Sequence, residues 1–395
     1  MDPYNQASNP NPETDKTPLN ARLDQFLDQK AADVDSETGE RSGTYVRDLE
    51  RVVPKWIGWM QDRGVETLDR LDEKHLAAYA EYLARRESVD GIAAATAHKY
   101  YNLVSAYLTY CRKWGEIDDN PAQAALPQES LPDRTGGTSK NQQFWSPQQR
   151  QQLVAYVDDQ AAAAIDEDGS DAVAEVRDRA FVTLIGYSAV RGAEILRVPR
   201  GADQRPDRQG ATWSDLDLTD ETIDVLGKSQ EHEQAPLTDK PVAALERWQA
   251  VLDPATDEWP LFPTMHAPTL WRDLGEQLDE RGRDDGTDLL DPYDDPMDAY
   301  RQYNCVPPAL TTEGGRSILK RLSDAAGVDT SDSPKDYLTL HGARRGVGEM
   351  YYREEGPAAA QRALRHADPS TTSEMYSHIE ASELSDVGSD VFADE

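Results

Sequence analysis

The chain has 395 residues, 38% of them hydrophobic, and only two cysteines. That length supports two domains with cores of their own. No apolar run is long enough for a membrane-spanning helix, and Cys111 and Cys305, far apart in sequence, give neither a disulfide framework nor a metal-ligand spacing. The formal net charge is −33, from 74 acidic against 41 basic residues, which taken alone argues against a nucleic-acid partner, because phosphate neutralisation drives that binding.

The kind of charge changes this reading. Lysine occurs 11 times against 30 arginines, and the acidic residues are spread along the chain rather than gathered in one tail. A diffuse acidic surface poor in lysine fits a protein adapted to molar salt, where the Debye length falls to about 3 Å at 1 M. Repulsion between such a surface and DNA is then short-ranged, and local arginine clusters still act. The reduced-cysteine composition and the polar, Pro/Asn-rich start, which is no signal peptide, fit a cytoplasmic protein.

Residues 1–17 are predicted to be disordered. Residues 18–127 read as helical throughout. Pro18 opens a helix with Leu23, Phe26 and Leu27 on one stripe. Ser42 or Thr44 caps a second helix running from Tyr45 to about Arg63. Asp72 caps a third with Leu76, Tyr79, Ala80 and Leu83, and Thr96 precedes a fourth that carries Tyr100, Leu103, Val104, Tyr107 and Leu108. Gly115 and Asn120-Pro121 end the unit. Residues 128–143 lack apolar periodicity, contain Gly-Gly and Pro, and read as an interdomain linker. Ser146-Pro147 is an N-cap with proline at the first helical position. Its helix gives way to an acidic, Ala-rich exposed loop at 161–172.

Residues 176–198 form an apolar helix that breaks at Gly186-Tyr187-Ser188, followed by Arg191 with Glu194 one turn on. As residues alone, Arg191 and Glu194 make an ordinary helical ion pair. Thr212 to Leu237 is the one convincing β region, a small antiparallel sheet with a polar turn at Gly227-Lys228. Residues 279–312 are Asp-, Gly- and Pro-rich and look like an acidic insertion. Thr312 to Gly327 is a helix, and 381–395 is an acidic tail.

The stretch from Leu340 to Ile379 carries the chemistry. It reads L-H-G-A-R-R-G-V-G-E-M-Y-Y, then a helical run, then L-R-H-A-D-P-S-T-T-S-E-M-Y, and so brings His341, Arg344, His366 and Tyr376 into one segment. A phosphodiester under attack needs cationic donors on its non-bridging oxygens, a proton carrier and a nucleophile. His341 and Arg344, three apart, share one face of a helix start. Asp368-Pro369-Ser370 reads as a turn and N-cap, which places Tyr376 on the next short helix. Tyr351 and Tyr352 are the neighbouring alternatives for the nucleophile.

These motifs together resemble the tyrosine recombinases, the phage-integrase family. The matching pieces are an arginine box at Arg191-x-x-Glu194, the hairpin lysine Lys228, His341-x-x-Arg344, a Leu-x-His box at His366, and a Ser-Thr-Thr stretch (Ser370-Thr371-Thr372) closing on Tyr376. Y-L-T-Y-C-R-K-W-G-E-I-D-D-N-P resembles the end of the family's N-terminal domain. The sequence departs from the family pattern at Ala189 and Arg365, where glycine is usual, at Arg345, where a second histidine is usual, and in the ten-residue step from His366 to Tyr376. The resemblance covers about 18–380. It implies a mainly α protein with a small antiparallel β-sheet: an N-terminal all-α SAM-like core-binding domain (18–127) and a C-terminal α+β catalytic domain (144–380). It implies a site-specific recombinase that cuts and rejoins double-stranded DNA through a 3′-phosphotyrosine, with no metal, ATP or other cofactor, as a homotetramer on DNA.

On that resemblance Tyr376 is the nucleophile. Arg191 and Arg344 hold the phosphate, Lys228 protonates the leaving oxygen, and His341 and His366 assist. Arg47, His98, Lys99, Arg112 and Lys113 are candidate phosphate contacts of the N-terminal domain. A type IB topoisomerase-like strand transferase and a DNA-binding protein without cleavage are the alternatives within this chemistry. A helical scaffold that does not bind DNA is the alternative that the charge suggests.

Overall fold

The computed structural model of the protein describes residues 17–35, 43–133, 142–169, 172–199, 209–227, 231–282, 293–377 and 379. The chain divides into two compact units, Met1–Gly137 and Thr138–Glu395.

The first unit is all-helical among its described residues. Its elements are α1 (Leu23–Asp35), α2 (Gly43–Gln61), α3 (Glu73–Asp90), α4 (Ala94–Lys113) and the short α5 (Ala125–Glu129). The apolar stripes read from the sequence converge: Phe26, Leu49, Val53, Trp56, Leu76, Ala80, Val104 and Leu108 are buried in one cluster. Two tyrosines of α4 bury their rings and satisfy their hydroxyls on backbone. Tyr107 donates to the Leu19 carbonyl (2.6 Å) and Tyr101 to that of Ala122 (3.0 Å). Asp72 caps α3 as expected, accepting from the Lys74 and His75 backbone.

Thr96, expected ahead of α4, lies inside it, because the helix starts two residues earlier at Ala94 without a side-chain cap. The stretch expected to be linker is shorter than 128–143 at both ends. Leu131 packs into the first unit's cluster, while Gln143 donates to the Tyr337 carbonyl (2.8 Å) and accepts from Thr339 N–H (2.6 Å) in the second unit.

The second unit contains α6 (Pro147–Asp168), α7 (Val173–Tyr187), α8 (Gly192–Ile195), β1 (Leu216–Asp217), β2 (Thr222–Leu226), β3 (His232–Pro236), α9 (Asp239–Leu252) and α10 (Ala267–Glu280). These are followed by α11 (Pro296–Tyr303), α12 (Thr312–Ala325), α13 (Leu340–Glu355) and α14 (Pro357–Leu364), and by a last helix, α15, over 369–377. Helix α7 is buried on nearly every face between Val176 and Gly186, its apolar second half packed in the core and its buried Arg177 and Asp178 paired with each other (2.6 Å). The three strands pair antiparallel in the order β1-β2-β3, with Ile223 opposite Leu216 and Ala235. Ile223, Val225 and Ala235 point inward.

Two expectations fail here. The Ala-rich stretch expected to be a loop continues α6 to Asp168, with Ala161 buried. Alanine is the strongest helix former, and its apolar face outweighs the flanking acids. The supposed insertion is core in large part. Met297, Ala299, Tyr300, Cys305 and Leu310 lie in the main cluster, and the Tyr300 hydroxyl reaches Asp273 (2.7 Å). Composition hid this, because the buried residues alternate with aspartates and prolines.

Asn120, the residue that ends the first unit in the sequence reading, is buried and fully engaged. Its side-chain oxygen accepts from Ala122 N–H (2.9 Å), and its amide donates to Ser105 O and Thr109 Oγ1 (2.9 Å each). Asn120→Ala orphans these partners at roughly 1 kcal/mol per bond. It is expected to lower the urea midpoint of the first unit by an amount equivalent to about 3 kcal/mol, read by tyrosine fluorescence. An unchanged midpoint would refute that account.

Candidate active site

The site is built in the second unit where three chain segments meet: the loop after α7, the start of α13, and the turn between α14 and α15. Helix α8 is a single turn, too short to persist alone. It is held by Glu194, whose carboxylate accepts from the Arg191 backbone N–H and from Arg191 Nη1, both at 2.6 Å. The expected ion pair therefore exists, but it is buried: the Glu194 side chain is 1% exposed.

Arg344 lies on the inner face of α13. Its two terminal nitrogens donate to the carbonyls of Ala189 and Leu364. One planar guanidinium thus ties the Arg191 loop to the last turn of α14. Five N–H donors per guanidinium leave it capacity for a further acceptor. Burial first, then the charge of Arg191, lowers the Arg344 pKa to about 9, which leaves it cationic at pH 7.

His366 follows directly. Its Nδ1 lies 2.9 Å from Thr372 Oγ1. The tautomer in which Nδ1 accepts from Thr372 puts the proton on Nε2 as a donor. Burial, then Arg344, Arg191 and Arg365, push the His366 pKa down to about 4. His341 is lowered as well, by burial and then by Arg345, Arg344 and Arg191. Both imidazoles are depressed partly by the same arginines, so Arg191, His341, Arg344 and His366 occupy one electrostatic cluster.

Tyr376 belongs to this cluster and is fully buried. Its hydroxyl donates to the Arg345 carbonyl (3.1 Å), and its ring packs edge-on against Phe144 and tilted against Tyr352. Burial raises its pKa, against a smaller opposing pull from Arg344. The expected competitors lie behind it. Tyr352 is itself buried in the same small cluster, and Tyr351 packs at its edge. Two glycines of α13 make the approach possible. A Cβ at Gly346 would sit 2.4 Å from the Trp145 carbonyl, and one at Gly348 would sit 2.1 Å from the Tyr376 hydroxyl.

Lys228 lies outside the described residues. The strands flanking it are described, and Gly227 N–H donates to the Glu231 carbonyl (2.8 Å) across the hairpin. Of the five N-terminal candidates, Arg47, Arg112 and Lys113 are exposed, the last two beside an open groove of about 680 Å³ that Lys30 and Asn102 also line. His98 is engaged with the Pro132 carbonyl (2.8 Å) and Lys99 with Asp48, which makes these two less available to a ligand. Among the described residues no group of three or more His, Cys, Asp or Glu side chains could hold a metal ion.

The sequence reading gave Arg365 no role. It stands in the left-handed region (φ 50°) at the end of α14, where glycine is favoured. Its guanidinium, 7% exposed, donates to Glu194 Oε2 (2.6 Å) and Glu233 Oε2 (3.1 Å). The one sequence signal was its departure from glycine.

The geometry can be set beside known proteins. No protein-family profile matches the chain. It is 26% identical over 205 residues to the tyrosine recombinase XerC of Xanthomonas campestris pv. campestris, which covers 52% of this chain and 51% of that protein. The chain thus spans about half the length of such curated relatives. The XerC of Pseudomonas syringae pv. syringae aligns over 369 residues at 24% identity, 92% of this chain and 95% of that one. Among solved structures, the XerH site-specific recombinase in a post-cleavage complex with its difH substrate superposes with TM-score 0.55 at 15% identity, covering 95% of this chain and 98% of that chain. A lambda integrase dimer bound to a core site superposes with TM-score 0.52 at 14% identity, covering 91% and 77%. The chain has the tyrosine-recombinase fold. The mainly α architecture with a small antiparallel sheet is the one expected of that fold.

The histidine shifts give a sign for pH. A folded pKa below the unfolded one means that the unfolded chain binds more protons, so stability is complete above about 6.5 and declines as pH falls toward 4. His366→Gln removes this dependence. Between pH 7 and pH 4.5 the wild type is expected to lose more Tm than His366→Gln does. Parallel Tm curves would show that burial beside the arginines does not hold His366 neutral.

Proposed function

We propose that the protein is a site-specific tyrosine recombinase that cuts and rejoins double-stranded DNA through a 3′-phosphotyrosine. The observation that carries this reading is one electrostatic cluster of the second unit, in which Arg191 and Arg344 lower the pKa of both His341 and His366 and Arg344 also acts on the buried Tyr376. The sequence kinship with XerC recombinases and the fold shared with DNA-bound recombinases support it.

In this reading Arg191 and Arg344 hold the non-bridging oxygens of the scissile phosphate and stabilise the charge of its pentacoordinate state. His366 donates from Nε2 to the same group. Tyr376 attacks phosphorus as the bond to the 5′-oxygen breaks. Its proton passes to His341, which is neutral at pH 7 and free to accept it, and Lys228 protonates the leaving 5′-oxygen. The phosphotyrosyl bond conserves the energy of the broken one, so rejoining needs no ATP. Tyr376 leaves its contact with the Arg345 carbonyl before it attacks, because the hydroxyl is buried in the free protein. Exposed Arg47, Arg112 and Lys113 are phosphate contacts of the first unit.

Three finer features belong to the same reading. The protein works as a tetramer on two DNA sites. It acts in the cytoplasm, consistent with its free buried cysteines. Its acidic surface is suited to molar salt, where screening leaves the arginine cluster effective at contact range.

A nicked suicide duplex drawn from DNA flanking the gene tests the reading, incubated in molar KCl and resolved on a denaturing gel. Wild type is expected to form a covalent adduct, and Tyr376→Phe to form none at equal DNA binding. An adduct that persists in Tyr376→Phe moves the nucleophile to Tyr351 or Tyr352. Bound DNA without any adduct favours a binding protein that does not cleave.

A further inference from the structure

Arg365 is retained in a conformation that works against it. A non-glycine residue at φ 50° is strained in a way that glycine would relieve. Its guanidinium is also buried, and among the described residues Nη1 has no hydrogen-bond partner, which is costly for a buried donor. An observed outlier of this kind points toward function.

What the side chain gains is a bridge between two acids on different elements. Nη2 donates to Oε2 of Glu194, the same oxygen that accepts from the Arg191 backbone N–H. Nε donates to Oε2 of Glu233, on strand β3. Glu233 also lies against Gly227 at the start of the hairpin turn, where a Cβ would meet its Oε1 at 2.9 Å. A continuous chain of charged hydrogen bonds therefore runs from Arg191 through Glu194 and Arg365 to Glu233. The charges along it cancel in pairs, two arginines against two glutamates, so the bridge does not consume the positive charge of Arg344.

We propose that Arg365 is a positioning residue that fastens the β2–β3 hairpin to the Arg191–Glu194 floor of the site. It acts through the two carboxylates and not on the phosphate itself. Charge-assisted contacts made by one planar guanidinium to two carboxylates fix orientation as well as distance, and misplacing a reacting group by about 1 Å can cost roughly 100-fold in rate. The inference rests on the recombinase reading, in which the hairpin bears the proton donor for the leaving oxygen.

Two variants cut the bridge at opposite ends. Arg365→Gly suits the left-handed turn and removes the tether; Glu233→Gln weakens it without touching the turn. Hydrogen exchange of the protein alone is the first readout. Faster exchange is expected in 222–226 and 232–236, with α7 unchanged and Tm nearly preserved. Unaltered hairpin exchange, or faster exchange throughout the second unit with a fall in Tm, overturns the proposal.

Single-turnover cleavage is the second readout, on ordinary DNA and on DNA with a 5′-bridging sulfur, which departs without a proton. Arg365→Gly is expected to be roughly 10- to 100-fold slower on ordinary DNA and close to wild type on the sulfur substrate. Equal loss on both substrates places the effect on the phosphate side and overturns the proposal. Lys228→Ala runs in parallel as the control. If it is not rescued by sulfur, the role of Lys228 fails, and the hairpin exchange alone decides the tether. If wild type forms no adduct, the recombinase reading fails, and the exchange result still stands.

Discussion

The second unit's site depends on one buried carboxylate. Glu194 accepts three hydrogen bonds, two from Arg191 and one from Arg365. It is almost completely withdrawn from water. A carboxylate so placed costs several kcal/mol unless paired, and here the pairing also does the organising. It closes the single turn of α8, which has too few internal hydrogen bonds to form alone, and it fixes the Arg191 side chain beside its own backbone. Remove the acid and two arginines lose their common partner, leaving unbalanced positive charge against Arg344. The catalytic chemistry proposed for this cluster begins with that arrangement, because a phosphate is stabilised best by donors already in place.

A second layer comes from Arg344. Its contacts are not to acids but to the carbonyls of Ala189 and Leu364, which keeps its positive charge uncancelled while its position is fixed. The contrast with Arg191 and Arg365 is informative. Those two share acids, whereas Arg344 is not paired with one; with Arg191 it presses on both histidines, and Arg345 presses on His341 as well. In a chain of net charge −33, a positive site has to be made locally and held apart from the surrounding acids. Burial achieves this, since screening by salt acts on exposed charge far more than on interior charge.

Much of this was legible in the sequence, and the exceptions have physical causes. Periodic apolar stripes gave the helices of the first unit, and alternation around Ile223 and Val225 gave the sheet. Spacing placed His341 and Arg344 on one helical face, and Asp368-Pro369 correctly predicted a turn before the helix of Tyr376. The α6 extension was missed because acidic residues obscured an alanine helix. The core residues Met297 and Tyr300 were missed because they sit among aspartates. Arg365 was visible only as an oddity. No local pattern announces that its partners lie 171 and 132 residues away, at Glu194 and Glu233. The fit of Tyr376 over Gly348 was equally hidden, since it needs the packing of α15 on α13.

Tyr376, the proposed nucleophile, and the arginines proposed to hold the phosphate lie on segments that reach into cores of different size. Ile195 and Leu196, beside Arg191, and Ala343, beside Arg344, belong to the large cluster of the second unit. Tyr376 belongs to a small separate cluster with Ala189, Val347, Tyr352, Ala360, Leu364 and Ile379. Local opening costs less where fewer apolar contacts are lost, so the segment that brings Tyr376 and Ile379 to the small cluster is the part proposed to move, while Ala189 and Leu364 of the same cluster stay tied to Arg344. That division answers the difficulty raised by a nucleophile whose hydroxyl is buried on a backbone carbonyl. The energy needed to free it is that of a satellite cluster and one hydrogen bond, not of the core. In the proposed reaction, a phosphate at Arg191 and Arg344 meets a cradle already in place, and the tyrosine is the part that moves.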